Sequence, residues 1–445
     1  MWKQKKKQLY VVPDIFVSKV SNNLFIIYSP LAGKLSLVSS EFLSNFKFQM
    51  EKNFVETKKE TIEDFIEVGL VSKHEVPRLE RKIEDFFPTN VTLFLTSNCN
   101  LRCIYCYANA GDTKIRYMPI EIAKDAINLV ISNSQRLNKK SIGLSFHGGG
   151  EPTYNWHLLV KCIEYAKEST QKKNIDLYTA ISTNGIFSKK KALWLVSNID
   201  EACLSWDGPK EIQDKNRPLP NGESSFEIVY RTSQIFLEYN FKFSVRATIT
   251  NETVNRMEEI YDYFRDIGIK KIQIEPSYEC GRCKTTNVMS PEPNTFVKNY
   301  LNILKKSERD NTDLSCSLGA FGIRSSFCGA SGDNFCITPE GYITSCFEVT
   351  SREDPRYNIF FYGYFSKEKK KIIIDYKKRE VLQRRQVYNI QYCKDCFVKW
   401  NCGGECLAKA ASLGDLFNSQ NINNVRCLMQ KLIMVEKFNY LLEGV

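Results

Sequence analysis

Between residues 90 and 310 the hydrophobic positions repeatedly change period. Short apolar runs of strand length lie at 91–96, 142–146, 177–181, 202–206, 243–249 and 271–275. Stretches with apolar residues three and four apart follow them, at 119–138, 154–172, 189–198, 225–240, 252–267 and 293–307. The first spacing is that of a buried strand and the second that of an amphipathic helix. Six strand–helix repeats predict an α/β fold in which βαβ units build a parallel sheet. The expected form is a partial (β/α)6 TIM-like barrel, smaller than the eight-fold version. Reactive groups in such sheets belong at the C-terminal ends of the strands.

The flanking regions have other patterns. In residues 1–88, strand-like segments at 24–28 and 34–38 precede helix-like segments at 41–46 and 61–68, which predicts a small N-terminal α+β domain. From about residue 311 to 445 the chain reads as an irregular, cysteine-rich domain. The expected division is therefore 1–88, 89–310 and 311–445. No solenoid repeat or low-complexity tract is evident.

Composition narrows the class. Hydrophobic content of 43% and charged content of 25% fit an ordinary globular chain. No apolar run approaches the roughly 20 residues of a membrane span. The basic start, with Lys3 to Lys7, is followed by an apolar stretch that Pro13 and Asp14 interrupt, unlike a signal peptide. A cytoplasmic location is expected, with no membrane partner. The formal charge of +11 fits a lysine-rich solvated surface or an acidic partner. The basic runs lack interleaved aromatics that stack on bases, so nucleic acid is not an expected partner.

There are 16 cysteines and only three histidines, His74, His147 and His157. In a reducing compartment so many thiols point to metal ligation rather than disulfides, and to all-cysteine sites rather than mixed Cys/His ones. Cys99, Cys103 and Cys106 follow the first predicted strand with spacing C-x3-C-x2-C. Three thiolates ligate three irons of a four-iron cluster and leave one iron open for chemistry. The plain alternative is a zinc knuckle or chance clustering. After the second strand comes His147-Gly148-Gly149-Gly150-Glu151-Pro152. Glycines there let backbone approach a ligand closely, and no GK[ST] follows, so a phosphate loop is not indicated.

Together these segments resemble the radical S-adenosylmethionine (SAM) enzymes. The resemblance implies that Cys99, Cys103 and Cys106 hold a SAM-binding 4Fe-4S cluster and that Gly149, Gly150 and Glu151 bind the methionine moiety. It further implies Ser182 and Asp207 near the SAM ribose and Arg246 near its carboxylate; as plain readings, each is a turn residue or a barrel-interior ion-pair member. Later, Cys328-x12-Gly341-x4-Cys346 and Cys393-x2-Cys396-x5-Cys402-x3-Cys406 precede Cys427. This order resembles the SPASM domain, which holds two auxiliary 4Fe-4S clusters. By that resemblance Cys393, Cys396, Cys402 and Cys427 hold the distal cluster. Cys328, Cys346 and Cys406 hold the proximal one, with Cys316, then Cys336, as candidates for its fourth ligand, and an open iron for a substrate thiolate if neither binds. Residues 1–88 loosely resemble the winged-helix domain that binds leader peptides; a simple extension packed on the barrel edge is the alternative. Cys280 and Cys283 form an extra pair after the sixth strand, whereas Cys162 and Cys203 read as core residues.

The resemblance implies reductive cleavage of SAM to a 5′-deoxyadenosyl radical that abstracts hydrogen from a precursor peptide. The product would be a thioether, carbon–carbon or related crosslink. A flavodoxin or ferredoxin-type protein would donate the electron. Asp207 and Glu275 are position-based candidates for a general base. An anaerobic sulfatase maturase, which makes formylglycine, is the second reading. That family carries an aspartate directly after the cysteine matching Cys346, whereas this chain has Phe347 and then Glu348. A non-catalytic iron–sulfur electron carrier needs no glycine-rich SAM site, and a zinc nucleic-acid binder would be colourless.

Overall fold

The computed structural model describes residues 9–81, 83, 85–320, 322–412, 416–417 and 425–442. Lys3 to Lys7 lie outside the described residues. The first strands are β1 (Tyr10–Val11), β2 (Phe16–Lys19), β3 (Leu24–Ser29), β4 (Lys34–Ser39) and β5 (Val71–Ser72). The six expected barrel strands follow as β6 (Asn90–Leu93), β7 (Ser141–Phe146), β8 (Asp176–Thr183), β9 (Glu201–Ser205), β10 (Phe243–Ile249) and β11 (Lys271–Pro276). Beyond them lie β12 (Asp313–Ser315), β13 (Cys336–Ile337), β14 (Tyr342–Thr344), β15 (Phe361–Ser366) and β16 (Lys371–Ile374).

The six barrel strands pair in parallel and in sequence order, as the partial barrel requires, and β12 adds a seventh parallel strand beside β11. The intervening helices are Ile120–Arg136, Trp156–Gln171, Lys189–Asn198, Phe226–Glu238 and Met257–Asp266, with Pro293–Asp310 after β11. Each strand shows one face to these helices. Leu93, Leu144, Phe146, Leu204, Val245 and Ile274 lie on that face and are at most 1% exposed. Burying each such side chain contributes roughly 1.5–3 kcal/mol relative to leaving it in water. The opposite face carries small or polar residues in register: Thr92, Ser145 and Ala180 in one row, then Ser182, Cys203 and Ser244. A third row holds Ser205, Arg246, Gln273 and Ser315. Short side chains leave the lumen open.

The C-terminal region is less irregular than expected. The chain returns to the far edge of the sheet, where β13 pairs in parallel with β6. β14, β15 and β16 then extend the sheet in antiparallel fashion to 11 strands. These strands are short and their partners distant in sequence, so no local periodicity announces them. The final helix, Val425–Leu442, lays Met429 and Ile433 into the core beside Pro293–Asp310.

The N-terminal domain is a β2–β3–β4 antiparallel meander with helices Ser40–Glu51 and Lys59–Glu67. Ser39 caps the first helix by accepting from the Phe42 amide at 3.1 Å. Its core joins Ile27, Val38, Phe46 and Phe65. The described contacts run to the C-terminal cysteine region as well as within the domain. The Tyr28 hydroxyl donates to Asn401 at 2.7 Å, and Lys399 and Trp400 donate to Asp14 at 2.7 and 3.1 Å. The simple-extension reading is thus corrected in one respect: this domain packs on the segment carrying Cys396 and Cys402.

Candidate radical-chemistry site

The loop carrying Cys99, Cys103 and Cys106 leaves β6 at the C-terminal edge of the sheet. Arginines fasten its carbonyls. Arg102 donates to Cys99 O and Leu101 O at 3.0 Å each, and Arg282 donates to Cys103 O at 2.6 Å. Backbone amides at 102 and 104 reach Pro218 O and Asn216 O. So held, the thiols sense one another. Burial pushes the Cys103 thiol up to about 11, with Cys106 adding repulsion and Arg217 opposing it. Cys99 rises further through burial, then Cys103 and Glu151. Buried sulfurs that repel one another as thiolates need a cationic centre, and soft thiolates suit an iron–sulfur cluster. The chemistry of the three thiols suits such a group, although among the described residues no three Cys, His, Asp or Glu side chains are gathered closely enough to hold a metal ion as they stand.

The glycine loop after β7 lies against this loop. A Cβ on Gly150 would stand 2.0 Å from Asn98 O, and one on Gly148 2.5 Å from the Phe94 ring. Gly149 has φ +64°, the left-handed region glycine favours. The Gly150 and Glu151 amides donate to Thr96 O and Asn98 O at 3.0 and 2.8 Å. Glu151 is 4% exposed. Its carboxylate accepts from the Thr153 amide and hydroxyl, the Thr183 hydroxyl and the Asn184 amide. Burial nevertheless raises its pKa, against the lowering effect of those bonds. Asn184 also donates to Asn100 at 2.8 Å and lies 3.7 Å from Cys99 Sγ. Thr183 and Asn184, next to the expected Ser182, thus tie the glycine loop to the cysteine loop. Sequence reasoning missed them, although the turn-rich Ser182-Thr183-Asn184-Gly185 run was the available signal.

Ser182 faces a lumen cavity of about 280 Å³, lined also by Ser145, Cys203, Ser244, His147 and Phe347. Cys203 is therefore a lumen residue, correcting its expected place in the core. Arg246 projects from β10 on the same side, and its charge is felt by His147, Tyr107 and Cys316. Asp207 is different. It is fully buried and pairs with Arg217 at 3.1 Å. It also accepts from the Thr248 amide, the Asn216 amide group and the Tyr105 hydroxyl. With both oxygens occupied it contacts no open space, which corrects its expected places at the ribose and as a base. It is instead a strut beneath the cysteine loop. Glu275, the other base candidate, is likewise held by Ser317 and Gln273.

Two further sets of thiols influence one another electrostatically. Cys328, Cys346 and Cys406 act on one another. Cys427 senses Cys402, Cys393 and Cys396, and Cys393 senses Cys402 and Cys396. The strongest charges on Cys316 come from Glu275, Arg426 and Arg246 rather than from other thiols. Cys336 is buried in β13 opposite Thr92. Cys280 accepts from Lys409 at 3.1 Å, and Lys409 also reaches Glu348 at 2.9 Å. Cys162 is fully buried in the helix Trp156–Gln171, as expected. Among the described residues no helix is long and apolar enough to cross a membrane.

Comparison with known proteins bears on the family and the fold. The family model for the Radical SAM superfamily matches residues 93–264, and that family binds a 4Fe-4S cluster and SAM. An uncharacterized protein of Methanocaldococcus jannaschii is 31% identical over 187 residues, which span 42% of this chain and 62% of that protein. The cysteine-type anaerobic sulfatase-maturating enzyme of Clostridium perfringens is 29% identical over 272 residues, covering 56% of this chain and 72% of the enzyme. Among solved structures, native anSMEcpe with bound AdoMet superposes with a TM-score of 0.62 at 20% identity, covering 80% of this chain and 98% of its own. Streptococcus suis SuiB bound to S-adenosylmethionine gives 0.54 at 11% identity, covering 94% of this chain and 99% of its own. At these identities the structural likeness shows a shared fold.

Proposed function

We propose that this radical SAM protein oxidises a residue of a peptide or protein substrate. The observation that carries the proposal is the three-thiol loop at the C-terminal edge of the parallel sheet, locked against a glycine loop. Cys99, Cys103 and Cys106 are proposed to hold the SAM-binding cluster. Gly149, Gly150 and Glu151 are proposed to receive the methionine moiety, with Ser182 and Arg246 completing the SAM pocket. Cys328, Cys346 and Cys406 are proposed for one auxiliary cluster, and Cys393, Cys396, Cys402 and Cys427 for the other. Bound SAM and cluster would supply a carbon-centred radical that removes a hydrogen atom, and the auxiliary clusters an acceptor for the remaining electron. The chain's own residues enclose the reaction. Phe347 lines the lumen beside His147 with Phe94 packed against it, and Arg246 offers a fixed positive charge to a carboxylate.

Two products are supported by different observations. Sequence similarity to sulfatase-maturating enzymes favours oxidation of a cysteine or serine to formylglycine, and stands level with peptide crosslinking. Phe347 in place of the aspartate of that family favours a crosslink. Incubation of the reduced holoenzyme with SAM and Cβ-deuterated cysteine or serine peptides, read by mass spectrometry, separates them. Formylglycine formation from cysteine exchanges sulfur for oxygen, whereas a crosslink removes hydrogen only. Deuterium from the Cβ position in 5′-deoxyadenosine marks formylglycine formation, whereas a crosslink takes hydrogen from another residue; no mass change in any peptide and no deuterium from uniformly deuterated peptide would sink the peptide-oxidation reading. Residues 9–88 are proposed to dock a leader segment: β2 is an edge strand with Val17 half exposed, and an added strand would complete its backbone bonding. Loss of turnover on leader truncation, with SAM cleavage intact, is the expected result. A flavodoxin or ferredoxin-type protein is proposed as electron donor.

A further inference from the structure

Cys280 and Cys283 take no part in the roles above. They are the two ends of the turn Cys280-Gly281-Arg282-Cys283 that follows β11. The Cys283 amide donates to Cys280 O at 3.2 Å and closes the turn. A four-residue turn of this kind brings its end Cα atoms within about 7 Å, and a disulfide spans about 4.4–6.8 Å between Cα atoms. Both thiols are free in the structure. Cys280 is half-buried and next to the exposed Glu279, whereas Cys283 is 3% exposed. The first can be reached from solvent and the second only through the first. Lys409 donates its ammonium to Cys280 Sγ at 3.1 Å, and Glu348 holds the same ammonium at 2.9 Å. A negative sulfur formed at Cys280 therefore finds a charged donor already in place. The same charge opposes a metal ion at that sulfur. Between the two cysteines, a Cβ on Gly281 would stand 2.2 Å from Cys106 O, and the Arg282 side chain donates to Cys103 O at 2.6 Å. The pair therefore sits at the barrel mouth, against the loop of Cys99, Cys103 and Cys106.

We propose that Cys280 and Cys283 are a thiol–disulfide exchange pair that takes up a disulfide at the barrel mouth, with Cys280 attacking and Cys283 resolving. The ligand class is an accessible disulfide: one formed by a cysteine of the peptide substrate, or a small one of the glutathione type. The Cys280 sulfur gives up its proton and attacks one sulfur of the incoming bond. That S–S bond breaks, a mixed disulfide forms on Cys280, and the first thiolate leaves and takes up a proton. Cys283 then loses its proton and attacks the Cys280 sulfur. The mixed bond breaks, the Cys280–Cys283 bond forms, and the second thiolate leaves and takes up a proton. Two electrons and two protons thus pass from the pair to the incoming disulfide. Burial pushes the Cys283 thiol up to about 11, so the second step runs through a small thiolate fraction and quickens as pH rises. Closeness within one turn offsets that small fraction. With a cysteine peptide, the exchange delivers a free thiol beside the loop proposed to cleave SAM, and that arm alone rests on the peptide-oxidation reading. The exchange itself needs neither SAM nor a reduced cluster.

The test treats anaerobic reconstituted holoenzyme, without SAM, with glutathione disulfide and, separately, with the symmetric disulfide of a cysteine peptide. Acid quenching, digestion and mass spectrometry then map the sulfurs. In wild type the expected result is a Cys280–Cys283 disulfide with release of both incoming thiols. As pH is raised from about 7 to about 9, the mixed disulfide on Cys280 should give way faster to the internal one. Cys283→Ser should stop at the mixed disulfide, and Cys280→Ser should form neither species. Lys409→Met should slow capture by about tenfold or more, the loss of one hydrogen bond to a charged group, with iron content unchanged. The disulfide captured faster identifies the source. Three results would overturn the assignment: capture by Cys280→Ser at the wild-type rate, a mixed disulfide on another thiol in preference to Cys280, or no reaction with either disulfide. None of these bears on the peptide-oxidation reading, which is tested with SAM and labelled peptide.

Discussion

The cysteine loop at 99–106 and the C-terminal thiol groups solve one problem in opposite ways. The first gathers three sulfurs within eight residues and depends on neighbours to hold an otherwise irregular backbone. Arg102, Arg282 and the Asp207–Arg217 pair all brace it. The second draws Cys328, Cys346 and Cys406 from three separate segments, so its geometry depends on how β13 to β16 dock on the sheet. A local site can be read from spacing, whereas a dispersed one can be read only as an ordered pattern whose meaning lies in the fold. The contrast also predicts different failures. Damage to the first region should stop SAM cleavage at its source; damage to the second should leave cleavage intact and change the fate of the substrate radical.

Iron content breaks the comparison most strongly. Three four-iron clusters predict about 12 irons per chain. Cys103→Ala should lower this to about eight and leave the auxiliary spectra intact, whereas Cys346→Ala should remove about four irons and spare the SAM-binding cluster. Chemical iron analysis with electron paramagnetic resonance checks both, and a wild-type count near four would remove the auxiliary clusters. Next comes the brace beneath the loop. Arg217→Met leaves Asp207 charged and buried, and should destabilise the protein by about 3–5 kcal/mol. Urea unfolding of the apoprotein measures it, and replacing both partners should recover much of the loss.

A smaller effect is set by pH. Burial, then Arg246, holds the His147 pKa at about 4, against 6.5 for an ordinary imidazole. The unfolded chain binds this proton first, so stability is full above pH 6.5 and declines as pH falls toward 4. The decline amounts to about 3 kcal/mol at most. His147→Gln should flatten this part of the pH–stability curve. An unchanged curve would mean that the ring is not held neutral. The groups around the ring are Arg246 on β10 and the uncharged Phe347 and Cys203. Smallest of all, Ser39→Ala removes the cap of helix Ser40–Glu51 and should cost about 1 kcal/mol, confined to the N-terminal domain. Thermal unfolding should show the shift while iron content stays constant.

The repeating part of the fold was legible because one strand face meets helices and the other meets the lumen. Lys189–Asn198 and Phe243–Ile249 fall where periodicity places them. The stretch 252–267 reads as one helix, but hydroxyls of Thr250 and Thr253 bond the local backbone, and the helix starts only at Met257. The short helix Lys210–Asn216 and the two-residue β13 carry too few periodic positions to be seen. At the site, the ligand-type residues were visible because cysteine and glycine are chemically unmistakable. The Tyr105–Asp207–Arg217 network was not, because its members are ordinary polar residues joined only by folding. The buried, unpartnered Nδ1 of His147 was equally hidden: a histidine beside three glycines reads as part of a turn until its neighbours are known.

Whether Cys99, Cys103 and Cys106, with the glycine loop, form a SAM-cleaving site is decided by the 5′-deoxyadenosine released from SAM. The protein is reconstituted anaerobically and reduced with dithionite. Wild type should release 5′-deoxyadenosine. Cys103→Ala should release none above background, and Gly150→Ala, whose Cβ would collide with Asn98 O, should lose most of it. Undiminished release from Cys103→Ala would contradict the assignment of this loop as the site of cleavage.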